Sequence, residues 1–190
     1  MWNEPYRIIT SLWILAGIVW AVAALNTKRT RRREAIASRL LYTAVLAIAF
    51  LLVFKSQFRP GILNAFFIAQ TPVVEWTGVA LTAAGIALAI YARITLGRNW
   101  SGMVTLKEDH ELIRKGPYAL VRHPIYTGMV LGFLGAAVDC ARVGALLGVA
   151  LAMLGLRMKW GTEEQFMVRQ FGAEYLDYKR HVKALIPFVW

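Results

Sequence analysis

The chain of 190 residues holds one cysteine, three histidines and only 11 acidic residues. A single thiol, Cys140, closes no intrachain disulfide and leaves no second cysteine for a metal site. His110, His123 and His181 show neither HxxxH nor HExxH spacing, so no metal site is expected. No GxGxxG or Walker sequence is present, and a Rossmann dinucleotide fold has no support. Ser101, in NWSGM, lacks the preceding Gly-x of a nucleophile elbow. Internal repeats, low-complexity runs and flexible linkers are also missing.

What is abundant is apolar surface. Hydrophobic residues make up 58% of the chain and the mean hydropathy is +0.50, a level that places it in the membrane class. The apolar residues fall in blocks near 8–25, 40–54, 73–92, 124–138 and 143–156. The first could pass for a signal peptide, but it is long and runs into the basic stretch NTKRTRRRE, so it reads as an uncleaved anchor. The expectation is an all-α integral membrane protein with about five transmembrane helices. It is read as one membrane domain over 1–190, with N-terminal spans in 1–92 and a chemically richer half in 93–190. Five spans with the N-terminus outside put eighteen of the 22 basic residues inside. That asymmetry follows the positive-inside rule and needs no nucleic acid. KRTRRR is then topogenic, with a minor role in contact with anionic lipids.

The two halves differ in character. FRPGILNAFFIAQTP, between the second and third blocks, reads as an outer loop with an interfacial piece. Residues 97–122 form a polar loop that retains Trp100, Met103, Leu112, Ile113 and Tyr118, and should fold against something. Pro124 is placed to start a helix, with His123 just before it. Gly161 to Gln165 looks like another helix start, with Thr162 as cap and Gln165 closing a capping box. Phe166, Phe171, Tyr175, Tyr178 and Val182 then recur at helical spacing, predicting a C-terminal amphipathic helix.

The residues able to carry chemistry are His110, Tyr118, Arg122, His123, Tyr126, Arg157, Lys159, Glu163 and Glu164, all on the inner side of this topology. Each has a plainer reading: His123 as a cap, Arg122 as a snorkelling cation, the tyrosines as an aromatic belt, the glutamates as helix-start acids, His110 as a loop residue. Their convergence at a membrane boundary beside a folded loop marks a site without naming its reaction.

LGRNWSG, HELIRKGPYALVRHPIYTG, EEQFMVRQFGAEYLDYKRHV and the closing Pro187 together resemble the isoprenylcysteine carboxyl methyltransferase family, over roughly residues 95–190. The RHPxYxG portion is shared more widely, with phospholipid N-methyltransferases and some membrane sterol reductases. The resemblance implies transfer of a methyl group from S-adenosyl-L-methionine, releasing S-adenosyl-L-homocysteine, in a cytoplasmic pocket made by the loop, the last hairpin and the tail. It implies that His110, Leu112, Tyr118, His123, Tyr126, Glu163 and Glu164 surround the cofactor. It further implies a lipophilic or lipidated acceptor arriving from the bilayer. The family's usual arginine, four residues before the paired acids, is Lys159 here, with Arg157 two residues earlier. Which of the two orients an acceptor carboxylate stays open. An amine acceptor would need a base, and Glu163, Glu164 or His123 are available. Phospholipid N-methylation and NADPH-dependent reduction remain as alternatives.

Overall fold

A computed structural model of the chain describes residues 4–25, 30–33, 35–100, 105–107 and 112–189. Five apolar helices form the body: α1 (Glu4–Ala24), α2 (Ile36–Phe54), α3 (Pro72–Leu96), α4 (Pro124–Cys140) and α5 (Val143–Phe171). A short α6 (Ala173–His181) follows α5. Four of them, α1, α2, α3 and α5, are long and apolar enough to cross a membrane; α4 is apolar but has 17 residues. At 1.5 Å per residue α4 reaches about 26 Å, near the thickness of a hydrocarbon core. The helices of the two halves interleave, α3 lying along α4 and α2 along α5.

Glycine makes the first of these contacts close. A Cβ added at Gly85 would lie 2.5 Å from the Gly128 carbonyl oxygen, and one at Gly135 would lie 2.5 Å from the backbone nitrogen of Thr82. Small residues let two backbones meet where lipid supplies no hydrophobic drive between helices. Thr82, fully buried, donates from Oγ1 to the Gly132 carbonyl across the seam. Gly128→Ala should therefore force α3 and α4 apart and cost about 1–3 kcal/mol, as overpacking does. Thermal denaturation in detergent checks this, with Gly17→Ala as control, because nothing lies within 4 Å of a Cβ there.

Helix ends follow local chemistry. Thr71 caps α3 by accepting a hydrogen bond from the Val74 N–H, with Pro72 in the first turn. The segment between α2 and α3 makes two 3-10 turns and bridges Phe66 to Arg142, while Phe58, Ile62, Phe66, Phe67 and Ile68 stay exposed, as an interfacial piece would. The polar loop does fold against something: β1 (Thr30–Arg33) pairs antiparallel with β2 (Thr105–Lys107). This small ladder is an addition to the expected all-α class.

The expected helix start at Gly161–Gln165 is corrected. α5 runs unbroken for 29 residues, and the Thr162 hydroxyl donates back to the Met158 carbonyl instead of capping. The apolar block ends at Leu156, but nothing from Arg157 to Gly161 breaks the helix, so about ten residues project past the bilayer thickness. The expected amphipathic tail is likewise two helices, split at Gly172 with φ of 55°. Glycine adopts that left-handed region without a Cβ penalty.

Candidate functional site

The sequence V121-R-H-P124 forms a turn held by the chain 60 residues later. Val121 bridges Lys183 in parallel, and the Arg122 and His123 N–H groups donate to the Lys183 and Ala184 carbonyls at 2.8 and 3.0 Å. Thr127 Oγ1 adds a bond to the Leu185 carbonyl at 2.8 Å. Pro124 keeps His123 out of the helix as its N-cap, although the imidazole makes no capping bond. The imidazole instead turns toward α5.

There it enters a stack. The His123 ring lies 5.5 Å from Tyr126 at 14° and 5.8 Å from Trp160 at 22°. Beside this stack the Tyr126 hydroxyl donates to Glu163 Oε1 at 2.5 Å, and Glu163 Oε2 sits 3.8 Å from His123 Nδ1. Glu163 keeps 24% of its side chain exposed beside three flat rings.

Glu164 faces the other way and is saturated. Its Oε1 accepts from Arg122 Nε at 2.9 Å, Arg122 Nη2 at 2.7 Å and His123 Nε2 at 3.2 Å, and its Oε2 meets Lys179 Nζ at 2.6 Å. Arg122 also reaches the Val182 and Lys179 carbonyls. This buried hub ties the VRHP turn, the projecting end of α5 and α6 together. Glu164 lies beyond the spanning part of α5. Burial pushes its carboxyl up, but the bonds from His123, Lys179 and Arg122 outweigh that and hold it well below the usual carboxylate range. Nearby, the Tyr178 hydroxyl donates to the Tyr118 carbonyl at 2.6 Å, and burial pushes that phenol up to about 12.

Tyr118, His123, Tyr126, Glu163 and Glu164 are thus brought together. Ile113 packs on the same apolar cluster, and its neighbour Leu112 is half-buried. His110 and Met103 lie outside the described residues. The two candidate cations part company. Lys159 Nζ lies 5.7 Å from the Tyr126 ring and 5.8 Å from the Tyr42 ring, on the Glu163 side. Arg157 stands 5.4 Å from the Trp160 ring and lines a cleft with Glu164 and Lys179. Sequence reasoning missed Trp160, Lys179 and the 183–185 strap. A tryptophan one helical turn before Glu164 was the only available signal. Among the described residues no group of three or more His, Cys, Asp or Glu could hold a metal.

Residues 73–174 match the sequence model of phospholipid methyltransferases. The chain belongs to the phospholipid methyltransferase family. That match covers the VRHP turn, the stack and the Glu163–Glu164 pair, and stops before Lys179 and the strap. The chain is 26% identical to protein-S-isoprenylcysteine O-methyltransferase B of Arabidopsis thaliana, over 80% of this chain and 78% of that one. It is 33% identical to the cobalt-zinc-cadmium resistance protein CzcN of Cupriavidus metallidurans, over 54% of this chain and 46% of that one. A solved eukaryotic intramembrane Ras methyltransferase, an isoprenylcysteine carboxyl methyltransferase, superposes with a TM-score of 0.58 at 23% identity. It covers 78% of this chain and 53% of that chain, a likeness of fold. The chain therefore spans about half the length of the last two. The family and the multi-pass membrane fold agree with the resemblance carried by GPY, VRHP and the paired glutamates.

Proposed function

We propose that this phospholipid methyltransferase family member transfers a methyl group from S-adenosylmethionine to the carboxylate of a lipophilic acceptor, of the isoprenylcysteine type, at the cytoplasmic membrane face. The observation that carries this reading is the Tyr126–Glu163–His123 constellation: a partly exposed carboxylate beside stacked rings, next to the end of a membrane helix. The donor set fits the cofactor. Glu163 offers an acceptor to an ammonium or ribose hydroxyl, and aromatic faces attract a sulfonium as they do other cations. When bound, the cofactor supplies a methyl group on an electrophilic sulfur. His123, Tyr126, Glu163 and Tyr118 would hold it, with His110 and Leu112 completing the expected surround, while Glu164, expected there too, instead anchors the His123 ring from the other side.

The rest is positioning. A carboxylate acceptor is already ionised near neutral pH, so one C–O bond forms, one C–S bond breaks and no proton has to move. Alignment in a water-poor site can lower the barrier by about 7–11 kcal/mol. Lys159 is the better placed cation for the acceptor, since its ammonium borders Tyr126 on the Glu163 face. Lys159→Gln should cut turnover at least tenfold and leave S-adenosylhomocysteine affinity within twofold, with Lys159→Arg restoring turnover. Equal loss of binding and turnover would remove this assignment. The basic residues around this end support a cytoplasmic site and C-terminus, with the N-terminus outside.

The decisive experiment is calorimetric titration of detergent-purified protein with S-adenosylhomocysteine and, in parallel, NADPH. It is followed by methyl transfer to an N-acetyl S-prenyl cysteine and to phosphatidylethanolamine. Micromolar binding of the first ligand alone, with base-labile methyl ester formed on the prenyl cysteine, is expected. Methylation of the amine lipid alone would make Glu163 a base toward an ammonium and overturn the carboxylate reading. NADPH binding alone would overturn the methyl-transfer reading itself.

A further inference from the structure

Beside the stack, on the other face of α5, lies a cleft of about 500 Å³ lined by Arg157, Gly161, Glu164, Gln165, Val168, Arg169 and Lys179. Its one carboxylate, Glu164, is already neutralised by Arg122, His123 and Lys179. Arg157 and Arg169 have no ion-pair partner among the described residues, so the cleft carries excess positive charge. Two observations show what borders it. Arg157 follows Leu156, the last residue of the apolar block, so the cleft opens where α5 leaves the hydrocarbon. Leu147 and Leu154, 43% and 50% exposed, share the helical face that continues through Gly161, Gln165 and Val168. An apolar strip thus leads directly into a cationic cleft at headgroup depth.

We propose that this cleft binds the phosphate of an anionic phospholipid in the adjacent leaflet, with its acyl chains lying along Leu147 and Leu154. Arg157 and Arg169 hold the phosphate, Arg by paired N–H donors suited to its oxygens. Gly161 lets the Arg157 guanidinium lie close against the helix at the cleft, since a Cβ there would lie 3.0 Å from its terminal nitrogen. The site is separate from the Glu163 face and does not depend on the methyl-transfer reading. It is a lipid anchor for the projecting end of α5.

The test uses the full chain in detergent with added phosphatidylglycerol or phosphatidylcholine, bound lipid being counted by native mass spectrometry. Wild type should retain phosphatidylglycerol preferentially, and 10 mM inorganic phosphate, on the order of a saturating competitor for a weak free anion, should not displace it. Each surface cation contributes about fivefold to anionic lipid affinity, so Arg157→Gln with Arg169→Gln should lower retention about thirtyfold. Arg180→Gln with Lys183→Gln removes the same charge outside the cleft and should leave retention within twofold. If the double variant fails to fold, Gln165→Glu, which adds a carboxylate at the exposed mouth, should produce a similar loss. Equal loss in both double variants would reduce the effect to general charge and overturn the proposal. So would displacement by phosphate alone, which makes the ligand a free anion, or displacement by S-adenosylhomocysteine, which makes the cleft part of the cofactor pocket.

Discussion

Glu164→Ala is expected to destabilise the protein by about 3–5 kcal/mol, the usual cost of removing one partner from a buried ionic cluster. The deletion leaves the Arg122 side chain, only 8% exposed, with no carboxylate, and releases both His123 Nε2 and Lys179. Thermal denaturation in detergent should show the loss, and limited proteolysis should cut first around α6, which Lys179 no longer pins. Glu164→Gln keeps the shape but not the charge and should fall in between. The same contribution depends on acid in a definite direction. Because the folded carboxyl is held below its ordinary value, its stabilisation is fully present above the ordinary range near pH ~4.3 and fades as pH falls below it. A Glu164→Ala protein with wild-type melting and wild-type acid sensitivity would show that the hub contributes nothing to the fold.

Glu163→Gln has a different expected signature: S-adenosylhomocysteine affinity falls more than tenfold, about 1.4 kcal/mol or more, while the melting temperature holds. The amide oxygen of Gln still accepts from the Tyr126 hydroxyl, so the local structure survives. What disappears is the negative charge, which strengthens a bond to an ammonium roughly twofold over a neutral acceptor. Calorimetry on the folded variant reads this directly. Unchanged affinity would move the ligand away from the Tyr126 face. The pair of measurements separates two neighbouring acids that have the same plain sequence reading.

That separation was not legible in the sequence. Consecutive residues on a helix point about 100° apart, so EE offers one carboxylate to the Tyr126–His123 side and one to Arg122 and Lys179, and only the packing decides which. The spans were legible because apolar runs report lipid contact: 73–92 became Pro72–Leu96 and 124–138 became Pro124–Cys140. The end of α5 was not, since apolarity stops where the bilayer stops while helical hydrogen bonding continues to Phe171. His123, Tyr126 and the paired acids could be picked out because membrane boundaries rarely collect such groups without use. Lys179 and the 183–185 strap carry no chemical oddity of their own, and their place at the site is a purely tertiary fact.

The strap has a consequence for assembly. The amides of Arg122 and His123 find their acceptors at Lys183 and Ala184, so α1 through α5 can all insert in the bilayer while the VRHP turn still lacks its partners. Membrane insertion and completion of the site are thereby separate events in the life of a nascent chain. A translation intermediate that ends within α6 would be embedded and helical yet would present two unpaired N–H groups where the His123 stack is meant to form.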